Sequence, residues 1–284
     1  MPTRSVVITG ASTGIGRACA LRLDAKGWRV FAGVRKQEDA DALQSSASDR
    51  LSTLMIDVSD QSSIDQAERT IHDSLDGAGL TALVNNAGIT VQGPLEYLPL
   101  DELRRQMEVN VTGQLAVTQA FLPLIRKTTG RIVFMGSVGG RAPSLPFLGP
   151  YIASKYAIEA IGESLRLELL SSGIKVSIVE PGTIKTPLWE KGYADVDRIA
   201  GWLPPEGLDR YLKPMEKSMQ LARAAEKRGT SPERVAKKVE HALTSSHPRN
   251  HYLVGDAWVR ARVEANLPKP LRDRLLKKLL LNNR

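Results

Sequence analysis

Along the chain, short runs of almost continuous apolar residues alternate with longer stretches where apolar positions recur every three or four residues. The short runs are SVVIT (5–9), RVFAGV (29–34), STLMID (52–57), TALVNN (81–86), RIVFMG (131–136), KVSIVE (175–180) and HYLVG (251–255). They are rich in β-branched residues and apolar on both sides, which predicts strands of a parallel sheet covered by helices on each face. Helical segments are expected at 14–26, 61–75, 101–127 and 151–171, with Gly27 and Gly173 where C-caps belong. This alternation means βαβ units, so the fold class is α/β: a Rossmann-type, doubly wound parallel sheet of about seven strands.

The rhythm breaks between the sixth and seventh runs, over residues 183–250, which contain WLPPEGL (202–208) and a helix start at Ser231-Pro232. Ligands of open α/β sheets bind beyond the carboxyl ends of the strands, and connections this long usually serve a function. The insertion therefore reads as a helical substrate cover. No linker or repeat divides the chain, so residues 1–284 are expected to form one domain. Within it, 1–182 would carry the cofactor and catalytic core, 183–250 the cover, and 251–284 the last strand and a helical tail.

Composition changes this picture in three places. The single cysteine, Cys19 in the apolar run CALRL, excludes a disulfide scaffold or a Cys-rich metal site and predicts a buried helical thiol; no metal is expected. No apolar leader follows Met1 and no run is long enough to span a bilayer, so a soluble cytoplasmic protein is expected. The net charge of +8 is local: residues 1–189 hold 19 basic and 19 acidic side chains, residues 190–284 hold 20 and 12. No nucleic-acid recognition motif accompanies it, so nucleic-acid binding is not expected. In the tail, Leu271, Leu275 and Leu279 recur every four residues with Leu276 and Leu280 beside them, while Arg272, Arg274, Lys277 and Lys278 take other faces. Such a helix can rest on an anionic membrane, but packing on its own domain or a neighbouring subunit is the plainer expectation.

Two stretches carry candidate chemistry. TGASTGIG (9–16) follows the first strand and opens a helix. Gly10 permits a tight turn, Gly14 lets backbone approach a pyrophosphate, and Gly16 lets the helix lie close on the sheet, with the anion at the helix N-terminus. YIASK (151–155) places Tyr151 and Lys155 on one helix face, one turn apart. Hydride transfer to a carbonyl needs a group that can give and retrieve a proton near neutral pH. A phenol is too weakly acidic alone, but a nearby ammonium favours its phenolate.

With these two motifs stand NNAG (85–88), Asn110 in MEVNVTG, Ser137 at the end of the fifth strand and PG (181–182) after the sixth. In this order they closely resemble the short-chain dehydrogenases/reductases over residues 5 to about 190, while the last ninety-odd residues match only loosely. The resemblance implies a catalytic set of Asn110, Ser137, Tyr151 and Lys155. Tyr151 would be the general acid/base, with Lys155 lowering its pKa and holding the nicotinamide ribose. Ser137 would polarise the substrate oxygen, and Asn110 would hold a water relaying protons. The cofactor would be held by Gly10, Ser12, Thr13, Gly14, Ile15 and Gly16 of the turn. Asp57, Val58, Asn86, Ala87 and Gly88 would meet its adenosine half, and Tyr151, Lys155, Pro181, Gly182, Ile184 and Thr186 its nicotinamide half.

At the tip of the second strand Val34 stands where NAD-using enzymes place a carboxylate, and Arg35 and Lys36 follow. A guanidinium there suits a 2′-phosphate, so NADP(H) is expected in preference to NAD(H). Ser137, Val138, Phe147 and Tyr151, with Trp189 from the insertion, are the expected substrate contacts, beside Leu145, Leu148, Tyr193 and Trp202. This predicts a small lipophilic alcohol or carbonyl, and the long cover resembles the steroid- and retinol-dehydrogenase branch. The alternatives are reduction of a 3-ketoacyl thioester and a non-catalytic dinucleotide-binding redox sensor; the intact Tyr/Lys pair argues against the sensor. The resemblance also implies a homodimer or homotetramer joined through the helices at 101–127 and 151–171.

Overall fold

The structure, a computed structural model, describes residues 4–186, 196–262 and 266–278. Strands form at all seven apolar runs: β1 Ser5–Ile8, β2 Arg29–Val34, β3 Leu51–Met55, β4 Ala82–Asn85, β5 Arg131–Met135, β6 Lys175–Pro181 and β7 His251–Val254. They make one parallel sheet in the order β3-β2-β1-β4-β5-β6-β7. In β1, Val6 and Ile8 enter one core and Val7 the other, which is why these runs are apolar at every position.

The first core lies under α1 (Gly14–Ala25) and α2 (Gln37–Gln44). The second is built by α3 (Gln61–Ser74), α5 (Gly113–Thr128) and α6 (Gly149–Glu168). Cys19 is buried in the first core, and desolvation pushes its thiol up to about 12, so it packs as an apolar side chain. Helix α2 was not anticipated, because its eight residues are mostly polar and bury only Ala40 and Leu43. The expected helix over 101–127 is α4 (Leu100–Met107) and α5 joined by a π-helical turn, Glu108–Thr112. Gly27 and Gly173 end their elements in the left-handed region, at φ +79° and +73°.

The interval between β6 and β7 holds α7 (Val196–Ala200), α8 (Pro205–Lys227) and α9 (Pro232–Thr244), and β7 is followed by α10 (Ala257–Arg262) and α11 (Lys269–Leu276). Helix α9 starts after Ser231-Pro232 as expected, but Val235, Ala236 and Val239 pack in the first core with α1, and Arg22 pairs with Glu240. Among the described residues of the interval, α7 and α8 are left outside that core. Two carboxylates tie them down: Glu102 of α4 accepts from Arg198 at 2.6 Å, and Glu96 accepts from Arg210 at 2.9 Å and from the Tyr211 hydroxyl at 2.5 Å. The strand order reverses between β1 and β4, and the cleft beyond these carboxyl ends is where such sheets bind ligands.

Candidate active site

The turn after β1 is built around backbone that only glycine tolerates. Gly10 has φ +64° and Gly14 φ +56°. A Cβ on Gly10 would stand 2.8 Å from Ala87 Cα, and one on Gly16 would collide with the Gly10 carbonyl oxygen. Thr13 caps α1 without a side-chain hydrogen bond, so no side chain of the cap takes up the N–H groups that open the helix. This is a cradle shaped for a phosphate, positive at its floor.

NNAG is bound to this turn. The Asn86 amide Nδ2 donates to the carbonyls of Thr9 and Gly10, each at 2.9 Å, and the Thr9 hydroxyl accepts from the N–H groups of Asn86 and Ala87, each at 3.0 Å. Gln114 Nε2 donates to the Ala87 carbonyl at 3.0 Å. Thr9 and Gln114 were missed in the sequence; Thr9 belongs to a motif already recognised, whereas nothing in the pattern of α5 marks Gln114. Asn85 turns away and donates to Thr118.

The cleft has a volume of about 1330 Å³. Every residue expected to touch the cofactor lines it, as do Asn110, Ser137 and Val138. Ser137 and Tyr151 converge on its floor: a Cβ on Gly139 would lie 3.4 Å from Ser137 Oγ and 3.9 Å from the Tyr151 ring. Ser137 Oγ accepts from the Gly139 N–H at 3.1 Å, which leaves its own proton to be donated elsewhere. Lys155 Nζ lies 5.7 Å from the centre of the Tyr151 ring and donates to the Met135 carbonyl at 2.8 Å. Desolvation lowers Lys155 from 10.5 to about 8, against a smaller opposing pull from Glu159.

Asn110 sits in the π turn, completely buried. Its Oδ1 accepts from the Ile89 N–H at 2.8 Å, and its Nδ2 donates to the Ile89 carbonyl at 3.0 Å and to Ser154 at 3.1 Å. The side chain thus fastens the irregular segment after NNAG to α6, and π turns recur at such functional positions. Gln106, one turn earlier, holds the same segment against α4, accepting from the Val91 N–H and donating to the Ile89 carbonyl.

At the end of the cleft formed by β2 and β3, Arg35 lies 3.8 Å from Asp57 and both are substantially exposed. Partial burial pushes the Asp57 carboxyl up, but bonds from Ser59 and the charge of Arg35 outweigh it and hold Asp57 below the usual carboxylate range. At the other end of the cleft, the segment after β6 is fixed from two sides. Ile184 bridges to Thr230, and Asp256 accepts from both the N–H (2.6 Å) and the hydroxyl (3.0 Å) of Thr183. Asp256, also unforeseen, is brought there only by the tertiary placement of β7.

The substrate side is lined by Val138, Leu145, Leu148 and Ile152, with Ala222 and Ala225 from α8. Phe147 was expected to line the cleft and does not. Its backbone is at φ +68°, and its ring packs edge-on against Tyr211, 6.3 Å away, under the cover. Trp202 lies under Arg198 rather than in the cleft. Trp189 and Tyr193 lie outside the described residues.

The sequence pattern of the short chain dehydrogenase family matches residues 4–197. Human retinol dehydrogenase 5 is 38% identical over 95% of this chain and 87% of its own length. An NADPH-dependent 3-dehydrocapnine reductase from Ornithobacterium rhinotracheale is 36% identical over 97% and 95%. Among solved structures, a short-chain dehydrogenase from Streptomyces avermitilis superposes with a TM-score of 0.77 at 28% identity, covering 98% of this chain and 96% of that one. With the fold, the glycine cradle and the Ser/Tyr/Lys cluster already in place, this chain belongs to the short-chain dehydrogenase/reductase family and is an oxidoreductase resembling its retinol dehydrogenases.

Proposed function

We propose that the protein interconverts a secondary alcohol and its carbonyl compound using NADP(H), on a small lipophilic substrate. The observation that carries this reading is the convergence of Ser137 and Tyr151 beside Gly139, with the Lys155 ammonium behind the phenol, in the same cleft as the glycine cradle. The dinucleotide, when bound, supplies or accepts the hydride. In reduction Tyr151 donates its proton to the oxygen as negative charge develops there, and in oxidation it removes the alcohol proton. Lys155 keeps positive charge next to that phenol, and the Ser137 hydroxyl donates to the same oxygen. Asn110 spends its side chain on Ile89 and Ser154, so a relay water at this point would be held by main chain rather than by its amide.

Preference for NADP(H) is supported by Arg35 and Lys36 at the cleft edge and by the NADPH dependence named for the bacterial relative. A lipophilic substrate is supported by the apolar lining beside Tyr151 and by the retinol dehydrogenases among the relatives. Among the described residues, the cationic side chains at this side, Arg105 and Arg198, both pair with Glu102. Assembly of copies through α5 and α6 agrees with exposed Tyr156 and Leu167 on α6. In α11 no described position is buried, and its exposed Leu271 and Leu275 lie among basic residues, a face suited to a neighbouring subunit or an anionic surface. No described helix is long and apolar enough to cross a membrane.

The test is NADPH oxidation against retinoid, steroid, aromatic and ketoacyl carbonyls, with NADP+ reduction on the matching alcohols. Turnover on apolar compounds, lost about a thousandfold in Tyr151→Phe while the variant still binds the dinucleotide, is the expected result. Turnover retained by that variant would refute the mechanism.

A further inference from the structure

Behind Lys155 lies a group of charged side chains that the mechanism does not use. Glu159 follows Lys155 by one turn of α6 and is largely buried, and Glu180 at the end of β6 is completely buried. Arg141 closes the short helical turn that begins after Ser137, and His251 opens β7. Arg141 Nε is 2.6 Å from Glu180, and its Nη2 is 2.6 Å from His251 Nδ1 and 3.7 Å from Glu159. His251 Nδ1 is also 2.7 Å from Glu180 and 3.6 Å from Glu159, while Nε2 is 3.7 Å from Glu163. Carboxylate and imidazole atoms of Glu159, Glu180 and His251 come within 4.8 Å of one another, but the Arg141 guanidinium already supplies the cation they surround.

This cluster carries the loop that bears Ser137. A Cβ on Gly136 would lie 2.8 Å from Glu159 Oε1, and one on Gly140 would lie 2.8 Å from Glu159 Cγ. The backbone on either side of Ser137 therefore rests directly on the Glu159 side chain. Arg141 then pulls the far end of the same loop toward β6 and β7. We propose that Arg141, Glu159, Glu180 and His251 are positioning residues that brace the Ser137 loop against α6, setting the Ser137–Tyr151 geometry that the proposed reaction requires. None of the four lines the cleft.

The brace also senses protons. His251 Nδ1 cannot accept from Arg141 and donate to Glu180 at once, so these two contacts are alternatives differing in where a proton sits. Burial and the neighbouring Glu180 raise Glu159 to about 7, against the opposing pull of Arg141, His251 and Lys155. Protonation of Glu159 weakens its pull on Arg141, and its ionisation restores it. Glu163, Lys155 and Arg141 are the other charged groups facing this site.

Hydrogen–deuterium exchange on the full chain with NADPH bound reads the loop without needing a substrate. After correction for intrinsic rates, amides of residues 139–142 should gain protection as pH rises through 7. Glu159→Gln, which preserves shape, should lower that protection about tenfold, the loss of one charge-assisted contact, and abolish its pH course. Arg141→Met should lose it similarly, and Arg141→Lys should recover most of it. With a carbonyl that turns over, kcat of Glu159→Gln should fall in step while the Kd for NADPH stays within about twofold. Unchanged loop protection in Glu159→Gln, or a loss spread evenly over the fold, would overturn the proposal. Lack of turnover on every compound would count against the proposed reaction, not against the brace.

Discussion

Replacing Lys155 with methionine should make the protein more stable and inactive. The buried ammonium binds its proton at about 8 rather than 10.5. At about 1.4 kcal/mol per pH unit, holding it charged in the fold at neutral pH costs about 3 kcal/mol. Methionine fills similar space without charge but abandons the bond to the Met135 carbonyl, a loss of about 1 kcal/mol. The cofactor-free variant should thus gain about 2 kcal/mol at pH 7, or roughly 4 °C in Tm for a domain this size. Folded Lys155 holds its proton less tightly than the unfolded chain, so unfolding takes up a proton between pH 8 and 10.5, and wild-type stability rises through that window. Below pH 8 the penalty is present in full. Urea titrations at pH 7 and pH 10.5 would show the advantage of the variant shrinking and then reversing as the wild type sheds its charge. A variant less stable at pH 7, or an advantage constant with pH, would refute the reasoning. Such a gain on deleting a functional charge is the expected cost of placing it where chemistry needs it.

Arg35→Ala should raise the KM for NADPH about tenfold or more and leave NADH kinetics little changed, because only one cofactor carries the phosphate this guanidinium would meet. Gly16→Ala would drive a methyl into the Gly10 carbonyl, so calorimetry should find dinucleotide binding abolished, with the Tm of the cofactor-free protein lowered as well. Asp256→Ala frees the Thr183 segment; steady-state kinetics should show a several-fold higher KM for the dinucleotide with a smaller fall in kcat, since the Tyr151 side of the site is untouched.

The seven strands, their parallel arrangement and the glycine cradle were legible because each is a local matter. An apolar run buried on both faces has no polar alternation, and positive φ at Gly10 and Gly14 is demanded by one turn. Tyr151 and Lys155 were legible for the same reason, since a spacing of four on a helix fixes their common face. Helix α2 escaped because two buried residues leave almost no periodic signal. The π turn at 108–112 escaped because no local pattern marks it, and Asn110 within it bonds to Ile89, twenty-one residues away.

What only the tertiary structure decided is where distant parts of the chain meet. Phe147 reads as pocket lining beside Tyr151, yet its left-handed backbone sends the ring to Tyr211 on the cover. Helix α9 reads as cover, yet its apolar face completes the core against α1. Asp256, Arg141 and His251 carry no motif and gain their meaning from β7 lying beside β6. The local pattern determined the scaffold and the pairing of Tyr151 with Lys155, because burial and helical spacing act between near neighbours. The clamp on the loop after β6, the brace under Ser137 and the ion pairs that fasten α7 and α8 join residues far apart in sequence, and only the folded sheet brings their charges within reach.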